Sequence, residues 1–164
     1  TGLGVQSRLG AALASPDLDG NGLADVALAA PGENRVYLLL QRPQADLQVA
    51  FRQLPVSVPP GGALAGQLVC TNLGPATAVA VQCGDASGVL QSVQCSPALP
   101  VASLAPGASV VCDIAIGALY GGGVTLAARG WSGTQDPDPA NNLASASVPV
   151  MVPPAAVFTD GFER

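Results

Sequence analysis

Asp17-Leu18-Asp19-Gly20-Asn21-Gly22-Leu23-Ala24-Asp25 sets side-chain oxygens at alternate positions, from Asp17, Asp19, Asn21 and Asp25, with the Leu23 carbonyl at the remaining odd place. Calcium takes roughly six to eight oxygen ligands, and a short loop with this spacing can wrap around one ion. Gly20 and Gly22 let the backbone turn sharply between ligands. Carboxylates crowded this closely repel one another without a counter-ion, so a divalent cation would relieve an electrostatic conflict as well as a geometric one. A polar turn is the alternative reading, since Asp, Asn and Gly all favour turns. Turn chemistry alone, however, does not require a carboxylate at each alternate position. The expected site is therefore one structural Ca2+ held by Asp17, Asp19, Asn21, the Leu23 carbonyl and Asp25.

An EF-hand would begin similarly, but it needs a Glu at the twelfth loop position and a flanking helix on each side. Leu28 stands at that position. Residues 26–30 and 35–40 are instead short apolar runs split by Pro31-Gly32-Glu33-Asn34, the pattern of strand, turn and strand, and residues 9–15 read as a further strand before the loop.

Over about residues 8–40 the chain resembles an FG-GAP repeat, the blade unit of integrin-type β-propellers. The resemblance is carried by Leu9-Gly10 in place of Phe-Gly, the Asp17 to Asp25 loop, and Ala30-Pro31-Gly32 where the family usually has Gly-Ala-Pro. One blade alone cannot bury both of its faces, and repeat architectures need several units in contact. The chain opens at Thr1 with neither a Met nor a charged-then-apolar leader, so it is expected to be a fragment continuing upstream into further blades.

With 164 residues, 49% of them hydrophobic and only 10% charged, and with 20 Gly and 15 Pro, the composition suits many short strands joined by tight turns. No helical periodicity and no transmembrane segment are evident. The net charge of −5, with six basic residues against eleven acidic ones, argues against a nucleic-acid partner. His and Lys are both absent. A Ser or Cys nucleophile would thus lack its usual base, and no enzymatic activity is expected of this chain. A carboxylate pair for glycoside hydrolysis is conceivable, but the dense acidic cluster is the one a cation should occupy. The four Cys have neither CxxC spacing nor His companions, which favours two disulfides over zinc and an oxidising compartment.

Gln41 to Ala45 is a short polar hinge containing Pro43. Beyond it, apolar runs at about 47–53, 65–71, 78–83, 89–95, 109–116, 124–131 and 143–150 alternate with turn signals such as Pro59-Pro60-Gly61-Gly62 and Gly121-Gly122-Gly123. Seven short strands at this spacing suggest a Greek-key β-sandwich. Val110, Cys112, Ile114 and Ile116 share one face opposite Asp113, and Leu68 and Cys70 alternate likewise. Trp131 reads as core or edge packing, without the aromatic neighbours that carbohydrate or nucleic-acid stacking would use. Asp136, Asp138 and Asn142 could form a second cation site, but the interleaved prolines favour a rigid acidic turn.

Residues 45–150 resemble the Ig-like repeats of bacterial surface proteins, including the CARDB kind. The carrying residues are Ala45-Asp46-Leu47-Gln48-Val49, Val58-Pro59-Pro60-Gly61-Gly62, Thr71-Asn72-Leu73-Gly74-Pro75, Ser103 to Ser109, and Asp136 to Asn142. In such a sandwich Cys70 and Cys112 would join neighbouring strands of one sheet and Cys83 with Cys95 would close a hairpin, one of three possible connectivities. The tail at 151–164 is too short to span a bilayer. Its Phe158-Thr159-Asp160-Gly161-Phe162-Glu163 ending is similar to short tails of some exported proteobacterial proteins, and the alternative is a disordered end or a segment that lays its Phe side chains on the sandwich.

The sequence thus implies an all-β chain: a partial β-propeller blade with a calcium loop at 1–42, a seven-stranded Ig-like Greek-key β-sandwich at 45–150, and a tail. The resemblances imply a non-catalytic adhesion or surface-display segment of an exported bacterial protein, secreted or at the cell surface, with an unknown protein or glycan partner. They equally allow an accessory segment of a secreted hydrolase whose catalytic domain lies upstream.

Overall fold

Apolar and polar residues alternating over short runs, with Gly and Pro between them, are the pattern of strands. The computed structural model describes residues 5–151 and is all-β, with three antiparallel sheets and two short 3-10 turns, Val5–Ser7 and Pro31–Glu33. It divides into two compact units, Thr1–Gln44 and Ala45–Arg164. The tail motif at 158–163 lies outside the described residues.

In the first unit β1 (Leu13–Ala14), β2 (Val26–Ala30) and β3 (Arg35–Leu39) form a sheet in the order β1-β2-β3. The run expected as a strand over 9–15 is reduced to two residues. Arg8 and Gly10 take positive φ values of 50° and 88°, which breaks the extended conformation before Leu13. Pro31–Glu33 ends at Asn34, whose left-handed φ of 53° turns the chain into β3. Ser7, Asp25 and Ala30 are the buried residues among those described here, whereas Leu13, Val36, Leu38 and Leu39 are exposed.

The second unit contains β4 (Leu47–Arg52), β5 (Gly62–Asn72), β6 (Ala78–Asp85), β7 (Ser92–Ser96), β8 (Val101–Leu104), β9 (Ser109–Leu119), β10 (Val124–Trp131) and β11 (Leu143–Val148). They form two four-stranded sheets, β4-β5-β9-β7 and β11-β10-β6-β8. One core joins them, with Leu47, Leu64 and Leu68 from the first sheet and Val81, Leu126 and Val148 from the second. Val110, Cys112, Ile114 and Ile116 of β9 are all buried while Asp113 is exposed, as period-two alternation requires. Eight strands are present where seven were expected. β8 is only four residues long and lies between Pro100 and Pro106, so its extended character comes from pairing with β6 rather than from a visible pattern.

The cysteines pair as Cys70–Cys83 and Cys95–Cys112, which corrects the expected Cys70–Cys112 and Cys83–Cys95 bridges. Cys95 lies directly opposite Cys112 in the β7–β9 register, whereas Cys70 lies opposite Val110. Cys70 faces the core and reaches Cys83 on the other sheet, with Cα atoms 6.5 Å apart. No hairpin joins β6 to β7, because they belong to different sheets. With sequence separations of 13 and 17, each bridge contributes about 3 kcal/mol in the loop-entropy model.

Trp131 is neither in the core nor at an edge. β10 is an interior strand, and alternation directs Leu126, Ala128 and Gly130 inward, leaving Arg129 and Trp131 on the outer face. At Gly130 a Cβ would come within 2.8 Å of Val49 Cγ2, so this inward place accommodates no side chain without displacement.

Asn72 is completely buried and uses both ends of its amide. Its Oδ1 accepts from Asp46 N and Gly74 N, and its Nδ2 donates to Ala76 O at 2.8 Å and Leu104 O at 2.9 Å. One side chain thereby ties the turn after β5 to β8 and to the start of β4. Asn72→Ala should cost about 2–3 kcal/mol in denaturant unfolding, because it strands buried backbone groups. Asn72→Asp should not rescue it, since a carboxylate cannot donate to two carbonyls.

Asp85 supplies a pH dependence. Burial, the largest single influence, pushes its carboxyl up, but the Ser87 hydroxyl and the amides of Leu90, Ser87 and Gly88 together outweigh it and hold the group below its ordinary value of 3.8. The folded state therefore binds this proton less readily than the unfolded chain. The stabilisation is complete above 3.8 and disappears as pH falls through the lower, folded value. Asp85→Asn should flatten that part of an acid-unfolding profile, and an unchanged profile would dismiss the effect.

Candidate metal centre

The Asp17 to Asp25 loop connects β1 to β2, and its shape is set by carboxylates accepting backbone amides. Asp17 Oδ1 accepts from Gly20 N at 2.8 Å and Asn21 N at 3.1 Å, and Oδ2 accepts from Gly22 N at 2.9 Å. Gly20 and Gly22 sit at φ values of 77° and 84°, a region that a side chain would strain. Asp19 accepts from both the backbone and the side-chain amide of Asn21.

Asp25 differs from the other two. It is fully buried, its Oδ2 accepts from Leu18 N at 2.8 Å, and its Oδ1 accepts from Gln41 N at 2.7 Å. It thus clamps the front of the loop to the residue leaving the β3 hairpin. Asn21 reinforces the clamp, donating from Nδ2 to Gln41 O at 2.6 Å.

Carboxylate oxygens of Asp17, Asp19 and Asp25 lie within 4.8 Å of one another, and this is the acidic group of metal-binding type found among the described residues. Asp17 and Asp19 are exposed, so the cluster is open to solvent on that side. An acceptor-only set of three carboxylates fits a hard cation, because every oxygen except Asp17 Oδ1, which accepts from two amides, retains a further lone pair. Asn21 and Leu23 are placed less directly. Asn21 turns its nitrogen toward Asp19 while its Oδ1 accepts from Leu23 N at 2.8 Å, so its oxygen serves the loop backbone. Alternate spacing made Asn21 a candidate; the direction of its amide depends on Gln41, 20 residues away, and was not legible locally.

Of Asp136, Asp138 and Asn142, the first two are linked to each other within one turn. Asp136 accepts from Asp138 N and from Leu47 N, both at 2.9 Å, which makes it a turn brace holding β4.

Residues 9–39 match the family model for the FG-GAP repeat. A comparison with curated proteins returns no match. The matched segment contains β1, the acidic loop, β2 and β3, so it coincides with the sheet that presents the three carboxylates.

Asp25→Asn should destabilise the loop by about 1–3 kcal/mol even with a chelator present, since an amide cannot accept from Leu18 and Gln41 at once. Faster hydrogen exchange at those two amides would register it. Asp19→Ala should leave both amides protected under the same conditions.

Proposed function

We propose that this chain is a non-catalytic, calcium-stabilised propeller blade followed by an Ig-like spacer, from an exported bacterial protein that works in adhesion or surface display. The observation that carries the reading is the convergence of Asp17, Asp19 and Asp25 within 4.8 Å in the segment that matches an FG-GAP repeat. Those carboxylates would hold the ion, with Asn21 and the Leu23 carbonyl as the neutral oxygens. Calcium suits a flexible all-protein oxygen cage better than magnesium, which tends to keep several waters.

Strand order supports the spacer. If β8 is set aside, the remaining strands a to g in chain order lie as a-b-e-d and g-f-c, the arrangement of a constant-type immunoglobulin sandwich. β8 is then an addition beside strand c. Two disulfides favour an oxidising compartment, and among the described residues no helix is long and apolar enough to cross a membrane. Exposed Leu13, Val36, Leu38 and Leu39 favour a blade that packs against further blades.

Calcium binding in the range of about 10⁻⁴ to 10⁻³ M is expected. Tenfold excess over the dissociation constant should raise stability by roughly 1.4 kcal/mol. Thermal melting with calcium and with chelator tests this directly: Asp19→Ala should abolish the difference and Asp138→Ala should preserve it. A melting temperature indifferent to calcium would reduce the loop to a polar turn. Turnover of a glycoside or ester panel that Asp17→Ala abolishes would overturn the non-catalytic assignment.

A further inference from the structure

The outer face of the β11-β10-β6-β8 sheet is almost uncharged. Its strands carry only Arg129 and Asp85 as charged residues. Trp131 and Arg129 are two positions apart on β10 and so project from the same face. Gln82 lies opposite Trp131 and Gly84 opposite Arg129 in the β10–β6 register. Nothing stands within 4 Å of where a Gly84 side chain would begin, and the missing side chain leaves a notch between its neighbours. Together these residues border a depression of about 290 Å³, with Trp131 47% exposed beside it.

We propose that this depression binds an acidic sugar, a pyranose ring bearing a carboxylate. The polarised C–H groups on one face of a pyranose are attracted to the negative face of an indole, which an exposed Trp offers at little conformational cost. The Arg129 guanidinium, one strand pitch away, matches a carboxylate in planar, two-point geometry. Gln82 supplies both a donor and an acceptor for ring hydroxyls. Asp85, the one carboxylate at the border, keeps its negative charge, but its oxygens accept from Ser87 and from the Leu90 amide, whose dipoles partly offset that charge and leave the Arg129 guanidinium as the cation facing a ligand. The depression on the other sheet, beside Gln67, Gln94 and Asp113, has no aromatic ring and pairs Gln67 with Asp113 at 3.0 Å. It offers neither a stacking surface nor a cation. The sugar site stands independently of the calcium reading, since none of its residues belongs to the acidic loop.

Trp131 is the only tryptophan in the chain, so its fluorescence reports this site alone among tryptophans. The full chain, disulfides intact, is titrated with trigalacturonate and with neutral cellotriose, and isothermal calorimetry runs in parallel. Trigalacturonate should shift the emission and bind at least about tenfold more tightly than cellotriose, as a charge-assisted hydrogen-bond pair implies. Arg129→Gln should bring trigalacturonate down to the cellotriose affinity. Trp131→Ala should lose binding by calorimetry, and Trp131→Phe should restore part of it. Melting curves with and without reductant verify that each variant is folded. Absence of binding by either sugar at millimolar concentration overturns the proposal, as does undiminished binding by folded Trp131→Ala. Equal affinity for the two sugars overturns the acidic-sugar assignment.

Discussion

Two pleated four-stranded sheets can hide their apolar faces only against each other, and in the larger unit almost every other feature follows from that burial. Fully burying a Leu stabilises the fold by about 1.5–3 kcal/mol, compared with about 1 kcal/mol net for an ordinary hydrogen bond. The inward set, with Leu47, Leu64, Leu68 and Leu126 completely buried, therefore governs strand orientation. Everything on the alternate positions is turned outward as a consequence. Arg129 and Trp131 face solvent because Ala128 and Gly130 face the core.

The smaller unit rests on different chemistry. Its three strands bury little besides Ala30, and its most enclosed charged group is Asp25. That carboxylate is tolerable in the interior because two backbone amides, from Leu18 and Gln41, donate to it. Asp17 does the same for the tip of the loop through Gly20, Asn21 and Gly22. The carboxylates consequently have two duties, organising the backbone and concentrating negative charge. The first requires no ion, and it is what brings the three side chains into mutual reach.

The covalent cross-links follow the division into sheets. Cys95–Cys112 staples an edge strand to its neighbour within one sheet, and Cys70–Cys83 crosses the core to the other. Asn72 provides a polar counterpart in the same region, holding the turn after β5 against Leu104. Leu104 belongs to β8, so this contact and the pairing with β6 hold in the sheet an edge strand that is short and without a pattern of its own.

Much was legible from local order. The oxygen-bearing positions from Asp17 to Asp25, the turn at Pro31 to Asn34, and the inward alternation of β9 are each written in consecutive residues, since period and turn chemistry act over a few bonds. Partner choice was not legible. That Cys70 and Cys112 both point inward could be read from the sequence, but their bridges depend on which sheet each neighbouring strand joins and on a register that sets Cys95 opposite Cys112. The exposure of Trp131 and the amide direction of Asn21 lay beyond local reading for the same reason: the first depends on Gly130 meeting Val49, and the second on Gln41. Backbone periodicity tells which face a residue occupies, whereas long-range strand pairing selects what that face meets, and only the folded chain brings those distant residues together.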